Sequence, residues 1–255
     1  MTTDNVSNTV PAPQFHRAAD QAGIVEAARQ RFIDAVVAVQ NGNVSPVTDD
    51  GFVRVVLTGG GAGTALLSAL ADDSGDIDWN RVLVFFGDER FVAADSVDRN
   101  ALAARERLLS PVGVPEENIF EFAAADSGVT TREAAESYEA IVRQKAPNGF
   151  DLHLLGMGGE GHINSIFPHT AALAEQERLV VDVHNCPKPP PTRITLTMPA
   201  IASSQRVWLL VAGGEKAEAI AAIAQQDDPA QWPAAGVRGA QETVVFVDDA
   251  AAAQL

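Results

Sequence analysis

Residues 52–64 read FVRVVLTGGGAGT, residues 82–92 read VLVFFGDERFV, and residues 151–168 read DLHLLGMGGEGHINSIFP. Each opens as a short apolar run and breaks at a glycine. A strand that is apolar at nearly every position, rather than at alternate ones, is buried on both faces. Helical spacing fills the chain between such runs, over Thr64–Leu70, Arg99–Leu109 and Thr131–Lys145. This alternation predicts an α/β fold: a Rossmann-like, mostly parallel sheet with helices on both faces, in a single domain over residues 13–255. Ligands of such sheets bind beyond the carboxyl ends of the strands. The turns at 58–63, 87–98 and 156–170 are therefore the ones to read for chemistry.

The remaining elements fit around this frame. Pro13–Ala18 reads as a short edge strand. Ile24–Val39 repeats apolar residues at helical spacing. Residues 41–51 read as a loop, and Glu133, three residues after Thr130, completes a capping box for the third of the helices above. Further strands are expected at Arg193–Thr197, Val207–Val211 and Val244–Val247, and a helix at Glu215–Gln225. Residues 1–12 read as a flexible N-terminal arm. No long internal repeat is present.

Composition narrows the function classes. The 255 residues are 46% hydrophobic and 20% charged, ordinary for a soluble globular chain. Eighteen basic against 34 acidic residues give a net charge of −16, which disfavours nucleic acid and anionic membrane surfaces as partners. A small anionic substrate then needs a local positive pocket, and with only three lysines each cation stands out. The single cysteine, Cys186, excludes an internal disulfide framework and multi-cysteine metal sites. The longest uncharged run, Val55–Ala71, contains four glycines and is too short to span a bilayer. No signal-peptide pattern opens the chain, so a cytoplasmic location is expected.

The glycine loop Thr58, Gly59, Gly60, Gly61 precedes a helix, where backbone amides suit a phosphate; a plain tight turn is the alternative. It is not a P-loop, because no lysine follows the glycines. Residues 156–161 contain G-x-G-x-x-G, but Pro168 blocks the long helix a dinucleotide site requires. His162, after this turn, is a candidate base for abstracting a proton from water. Gly87-Asp88-Glu89-Arg90 puts two carboxylates and an arginine at a strand end, facing the crevice or paired at its rim. Lys188 and Arg193 flank a stiff proline run, and with Arg90 they make a positive pocket. His16 and His153 are expected to pack in or beside strands. No G-x-S-x-G and no H-E-x-x-H occurs, so neither a serine nucleophile elbow nor a zinc site is expected.

Taken in order, these segments resemble the 6-phosphogluconolactonase family, which belongs with the sugar-phosphate isomerases and glucosamine-6-phosphate deaminases. The resemblance rests on Leu57–Gly61, on Gly87–Val92 with Asn100 downstream, on Gly156–Gly158 through Gly161-His162, on Ser165–Pro168, and on Lys188 through Arg193–Thr197, and it spans residues 13–248. It implies hydrolysis of 6-phospho-D-glucono-1,5-lactone to 6-phosphogluconate in the oxidative pentose phosphate pathway, without metal or cofactor. By the same resemblance His162 is the base, and Asp88 orients it or a sugar hydroxyl. Thr58, Gly59, Gly60, Gly61, Arg90, Gly158, Lys188 and Arg193 would hold phosphate or other polar oxygens of a phosphosugar lactone. The expected assembly is a monomer or weak homo-oligomer.

Two positions depart from the family pattern. Gly61 stands where a serine is common, so no side chain there reaches a phosphate. Glu160 stands where aspartate is usual, one methylene longer, which alters how the loop is braced. The deaminases of the group place a carboxylate before the proline that follows the histidine; here that run is Ile163-Asn164-Ser165-Ile166-Phe167-Pro168, without one. Lactone opening needs one base and a water, whereas deamination with isomerisation needs several proton carriers. A deaminase-like isomerase and a non-catalytic sugar-phosphate binder on the same scaffold are the alternative readings.

Overall fold

The computed structural model describes residues 11–42, 45, 47 and 49–255. Residues 1–10 of the expected arm, and part of the expected loop at 41–51, lie outside the described residues. Six strands form one wholly parallel sheet: β1 (Gln14–Ala18), β2 (Val53–Leu57), β3 (Val82–Phe86), β5 (Leu152–Leu155), β8 (Arg206–Val211) and β9 (Glu242–Asp248), in the order β1-β9-β8-β5-β2-β3. A second, antiparallel sheet of three short strands sits beyond it: β4 (Asp88–Arg90), β7 (Arg193–Leu196) and β6 (Val180–Val183), with β7 central.

The parallel sheet separates two cores. Along β8, Trp208 and Leu210 enter one cluster, while Val207, Leu209 and Val211 enter the other; β9 divides Val244 and Phe246 from Val245 and Val247 in the same way. Alternation along a strand sends neighbours to opposite faces, so both faces require cover. Helix α1 (Gln21–Gln40), α2 (Gly60–Asp72) and α5 (Thr131–Lys145) cover the first, and α8 (Ala217–Gln225) the second. The α/β reading with helices on both faces is thus the observed fold. Between α2 and α5, α3 (Asn100–Ala104), a π-helical turn at Arg105–Leu109 and α4 (Ser110–Val112) run on as one helical stretch. It ends at Gly113, whose φ of 73° closes it in the left-handed region. Two short helices, α6 (Ala171–Ala174) and α7 (Met198–Ala202), lie beside the second sheet.

Three differences from the sequence reading concern the functional face. Helix α2 starts at Gly60 rather than Thr64, so the glycine turn is largely the first helical turn; Thr64 Oγ1 donates back to the Gly60 carbonyl there. The segment expected to be loop at 87–97 contains β4. The strand at Arg193–Leu196 belongs to the antiparallel sheet, where Arg90 pairs with Arg193. The capping box is as expected: Thr130 Oγ1 accepts from Glu133 N–H, and the Glu133 carboxylate accepts from Thr130 N–H at 2.8 Å. Helix α5 also buries Tyr138, whose hydroxyl accepts from Phe86 N–H at 2.9 Å and so fixes the end of β3.

Candidate active site

Strand order locates a crevice. The connection from β2 runs to β3 on one side, and the chain later returns as β5 on the other, so β2 ends at a topological switch point. The turns after β2, β3 and β5 are tied together there. Gly156 N–H donates to Thr58 Oγ1 at 3.0 Å, and Gly87 N–H to the Leu57 carbonyl at 3.1 Å. The Gly87 carbonyl in turn accepts from Leu196 N–H at 2.8 Å, which joins the two sheets at one residue.

A cavity of about 140 Å³ opens between these turns. It brings together Thr58, Gly59, Gly60, Asp88, Arg90, His162 and Arg193 from the sequence-predicted set, with Asn100, Gly156, Met157 and Asn164 added. An adjoining cavity of about 320 Å³ shares Gly59, Gly60, Gly156 and Met157 and continues past Gly61 and Gly63 to Lys216. Gly61 therefore faces the second cavity. Gly158 and Lys188 line neither. A roomier groove of about 620 Å³ runs past Leu173, Met198 and Pro199, but it gathers none of the charged residues that converge in the first cavity.

The loop after β5 is shaped around His162. Gly158 N–H donates to the His162 carbonyl and Gly161 N–H to the Gly158 carbonyl, both at 3.0 Å. A Cβ on Gly158 would lie 2.0 Å from His162 Nδ1, so only glycine lets the ring fold back over the loop. The imidazole stacks on Phe167, with centroids 4.2 Å apart and planes 16° from parallel. Its Nδ1 is buried and lies 3.2 Å from a Glu160 carboxylate oxygen, out of line for a hydrogen bond. That leaves Nε2 as the nitrogen available to the cavity. Burial pushes the His162 pKa below the usual histidine value, against the pull of the Glu160 charge, so the ring is neutral near pH 7. Burial would raise Glu160, but the Lys188 hydrogen bond and the neighbouring charges outweigh it and hold the carboxyl down to about 2. Lys188 Nζ sits 2.9 Å and 3.0 Å from the two Glu160 oxygens.

The two acids after β3 have different surroundings. Glu89 is buried and accepts from the backbone N–H groups of Arg90, Asn100 and Ala101 at 2.8–2.9 Å. It anchors the start of α3 and does not face the cavity. Asp88 lines the cavity, accepting from Ser165 Oγ at 2.6 Å and Asn100 Nδ2 at 3.1 Å, with Arg193 Nη1 3.8 Å away. None of these hydrogen bonds runs to His162, so any effect of Asp88 on the ring acts through space. Arg193 is 5% exposed, and its guanidinium donates to the carbonyls of Lys188, Pro189 and Pro190 at 3.0–3.2 Å. Arg90 donates to the Asp98 carbonyl and to Asn100 Oδ1, but its buried Nε has no partner among the described residues.

Asn100, Gly156, Met157, Asn164 and Lys216 are among the residues lining these two cavities that the sequence reading did not assign to binding. Lys216 follows Gly213-Gly214 at the end of β8, the same strand-then-glycine signature that marks the other three turns. Cys186 is buried and free, and His153 is fully buried in β5 against Phe150.

Residues 19–246 match the model of a family described as glucosamine-6-phosphate isomerases/6-phosphogluconolactonase. A Mycobacterium tuberculosis 6-phosphogluconolactonase is 46% identical over 239 residues, 91% of this chain and 94% of that protein. A Streptomyces coelicolor 6-phosphogluconolactonase is 39% identical over 254 residues, 95% of each chain. Among solved structures, the crystal structure of 6-phosphogluconolactonase from Thermotoga maritima matches with a TM-score of 0.80 at 29% identity, covering 92% of this chain and 99% of that one.

Proposed function

This chain belongs to the glucosamine-6-phosphate isomerase/6-phosphogluconolactonase family, and we propose that it acts there as a lactonase, hydrolysing 6-phospho-D-glucono-1,5-lactone to 6-phosphogluconate. The observation that carries the reading is a half-enclosed His162, stacked on Phe167, in the wall of a cavity that it shares with Asp88 and Arg90 and that adjoins a glycine-lined one. A δ-lactone is a reactive ester, so one base and one oxyanion donor suffice.

In this reading the phosphate lies in the glycine cavity, against the first-turn amides of α2 and Lys216, where the helix dipole and a cation favour an anion. The lactone ring then lies beside His162. Nε2 takes a proton from water, the water oxygen bonds to the lactone carbonyl carbon, and the carbonyl oxygen becomes an oxyanion. The partnerless Nε–H of Arg90 is the donor for it. Collapse of the tetrahedral intermediate breaks the bond to the ring oxygen, which receives the proton back from His162. The imidazolium formed in between is balanced by Glu160 at 3.2 Å, itself kept ionised by Lys188. Lys188 thus acts through Glu160, and Arg193 holds the 188–190 segment that presents it.

The test is acid release from 6-phosphogluconolactone, corrected for spontaneous opening, run beside ammonia release from glucosamine 6-phosphate. Lactone opening without ammonia supports the reading. Ammonia release with no lactone opening above the spontaneous rate overturns it.

A further inference from the structure

Asn164 occupies the tip of a very tight turn. Ile163 and Ile166 bond to each other across it, and Asn164 takes a φ of +47°, a left-handed conformation uncommon for a residue with a side chain. The next residue pins the turn: Ser165 N–H donates to Thr195 Oγ1 at 3.2 Å, and Ser165 Oγ to Asp88 at 2.6 Å. The Asn164 carboxamide is carried by this turn over the end of β3, close enough that a Cβ on Gly87 would lie 2.3 Å from Oδ1. There it is 8% exposed and lines the same cavity as His162, Asp88 and Arg90.

Both polar atoms of this amide, Nδ2 and Oδ1, are buried without a partner among the described residues. Buried polar groups are nearly always paired, and an exception calls for an explanation. What would satisfy it is constrained by its chemistry. A phosphate or an oxyanion only accepts, and would leave Oδ1 unpaired and facing a negative charge. A hydroxyl both donates and accepts. Two neighbouring hydroxyls match both amide atoms at once.

We propose that Asn164 is a specificity residue of this site, its carboxamide taking two adjacent hydroxyls of the sugar ring, one donating to Oδ1 and one accepting from Nδ2. The proposal deepens the lactonase reading and rests on it for the identity of the ligand.

The experiment compares wild type, Asn164→Ala and Asn164→Asp on 6-phosphogluconolactone and on its 2-deoxy and 3-deoxy analogues. A site built to hydrogen-bond a substrate hydroxyl rejects an analogue lacking it. Wild type should therefore prefer the full substrate over at least one deoxy lactone by about tenfold or more in kcat/KM. Asn164→Ala should lose about 10- to 100-fold on the full substrate and less than about threefold on that analogue, erasing the preference. Its melting temperature should fall only slightly, since removal of an unpaired amide offsets the poorer fit of alanine at a φ of +47°; a fall with the substrate preference unchanged would mark a structural residue. Equal losses on all three lactones, or a loss below about threefold on the full substrate, would overturn the proposal. Wild type failing to open any lactone defeats the lactonase reading instead. In that case calorimetry with 6-phosphogluconate and its deoxy analogues decides on Asn164, selective loss of the fully hydroxylated ligand supporting it and uniform loss overturning it.

Discussion

The two sheets solve opposite problems with the same chain. The centre of the six-stranded sheet is held by apolar packing: β2 and β3 are buried at every position, and their side chains are apolar except Arg54. It holds the ends of β2, β3 and β5 in place and lends the site backbone amides and a turn. The three-stranded sheet is also largely buried, yet β4 is Asp-Glu-Arg and β7 starts at Arg193. Charges survive there because nearly every one is matched: Glu89 by three N–H groups, Arg193 by three carbonyls, Asp88 by Ser165 and Asn100. One sheet gains position from apolar burial, and the other gains chemistry from satisfied polarity. Damage to the first should therefore appear as lost stability, and damage to the second as lost turnover.

The largest effect is expected where the two regions meet. His162→Ala should lower kcat by roughly 10²- to 10⁴-fold, the range of a lost general base, with little change in melting temperature. A loss below about tenfold would move the base to another residue. Next comes the parallel sheet itself. Leu154, 1% exposed in β5, should cost about 2–5 kcal/mol when cut to alanine, as large-to-small core changes do. Its kcat at a temperature where the variant is folded should stay within about threefold of wild type; a larger drop would mean that the sheet does more than hold the turns.

Two cations separate binding of phosphate from bracing of the loop. Lys216→Ala should weaken 6-phosphogluconate about tenfold or more while sparing gluconate, since it faces the glycine cavity. Arg193→Ala should weaken both equally, because Nε and Nη2 are committed to the carbonyls of residues 188–190 and Nη1 faces Ser165 and Asp88. Arg193→Lys should not restore it, as an ammonium lacks the planar fork that meets three carbonyls. Selective loss of the phosphorylated ligand in the Arg193 variant would reverse these roles.

The smallest effects are shifts with pH. The base must be neutral, so kcat/KM should fall as pH drops through a value below the ordinary histidine pKa of 6.5. Glu160→Gln removes an anion that favours the imidazolium, and should move this limb to still lower pH. His153, one turn upstream, should be silent in that profile and visible in stability. Burial lowers its pKa to about 3, so between pH 6.5 and 3 the unfolded chain binds a proton that the folded chain refuses. Stability is whole above 6.5 and should decline by roughly 1.4 kcal/mol per pH unit below it on this account. His153→Phe should flatten that decline, and denaturant titrations at pH 5 and pH 7 would show whether it does.

The parallel sheet was legible because strands buried on both faces must be apolar runs, a local property. Of the antiparallel sheet only β7 was. Its β4 is three charged residues that read as loop, and its β6 is a four-residue piece, Val180–Val183, with an acid inside. β4 exists through pairing with β7 about a hundred residues on, which no window of sequence displays, and β6 through pairing with the same strand 10–16 residues on. The site divides in the same way. His162, Asp88, Arg90 and the first glycines could be found because they follow strands directly. Lys216 carried the same signal after β8 and was passed over. That Lys188 serves Glu160, and that Arg193 is spent on carbonyls, depends on contacts fixed only by the folded loop. Nothing local could mark Asn164, since being unpaired is a property of the surroundings and not of the residue.

The edge of the large sheet sets an order of assembly. β1 pairs only with β9, and the two lie more than two hundred residues apart in the chain. On the ribosome β1 is made more than two hundred residues before its partner, and it remains an unmated strand until residues 242–248 have cleared the exit tunnel. A contact of such sequence separation is slow to close. A chain that lacks residues 242–248 should therefore leave residues 14–18 open to protease.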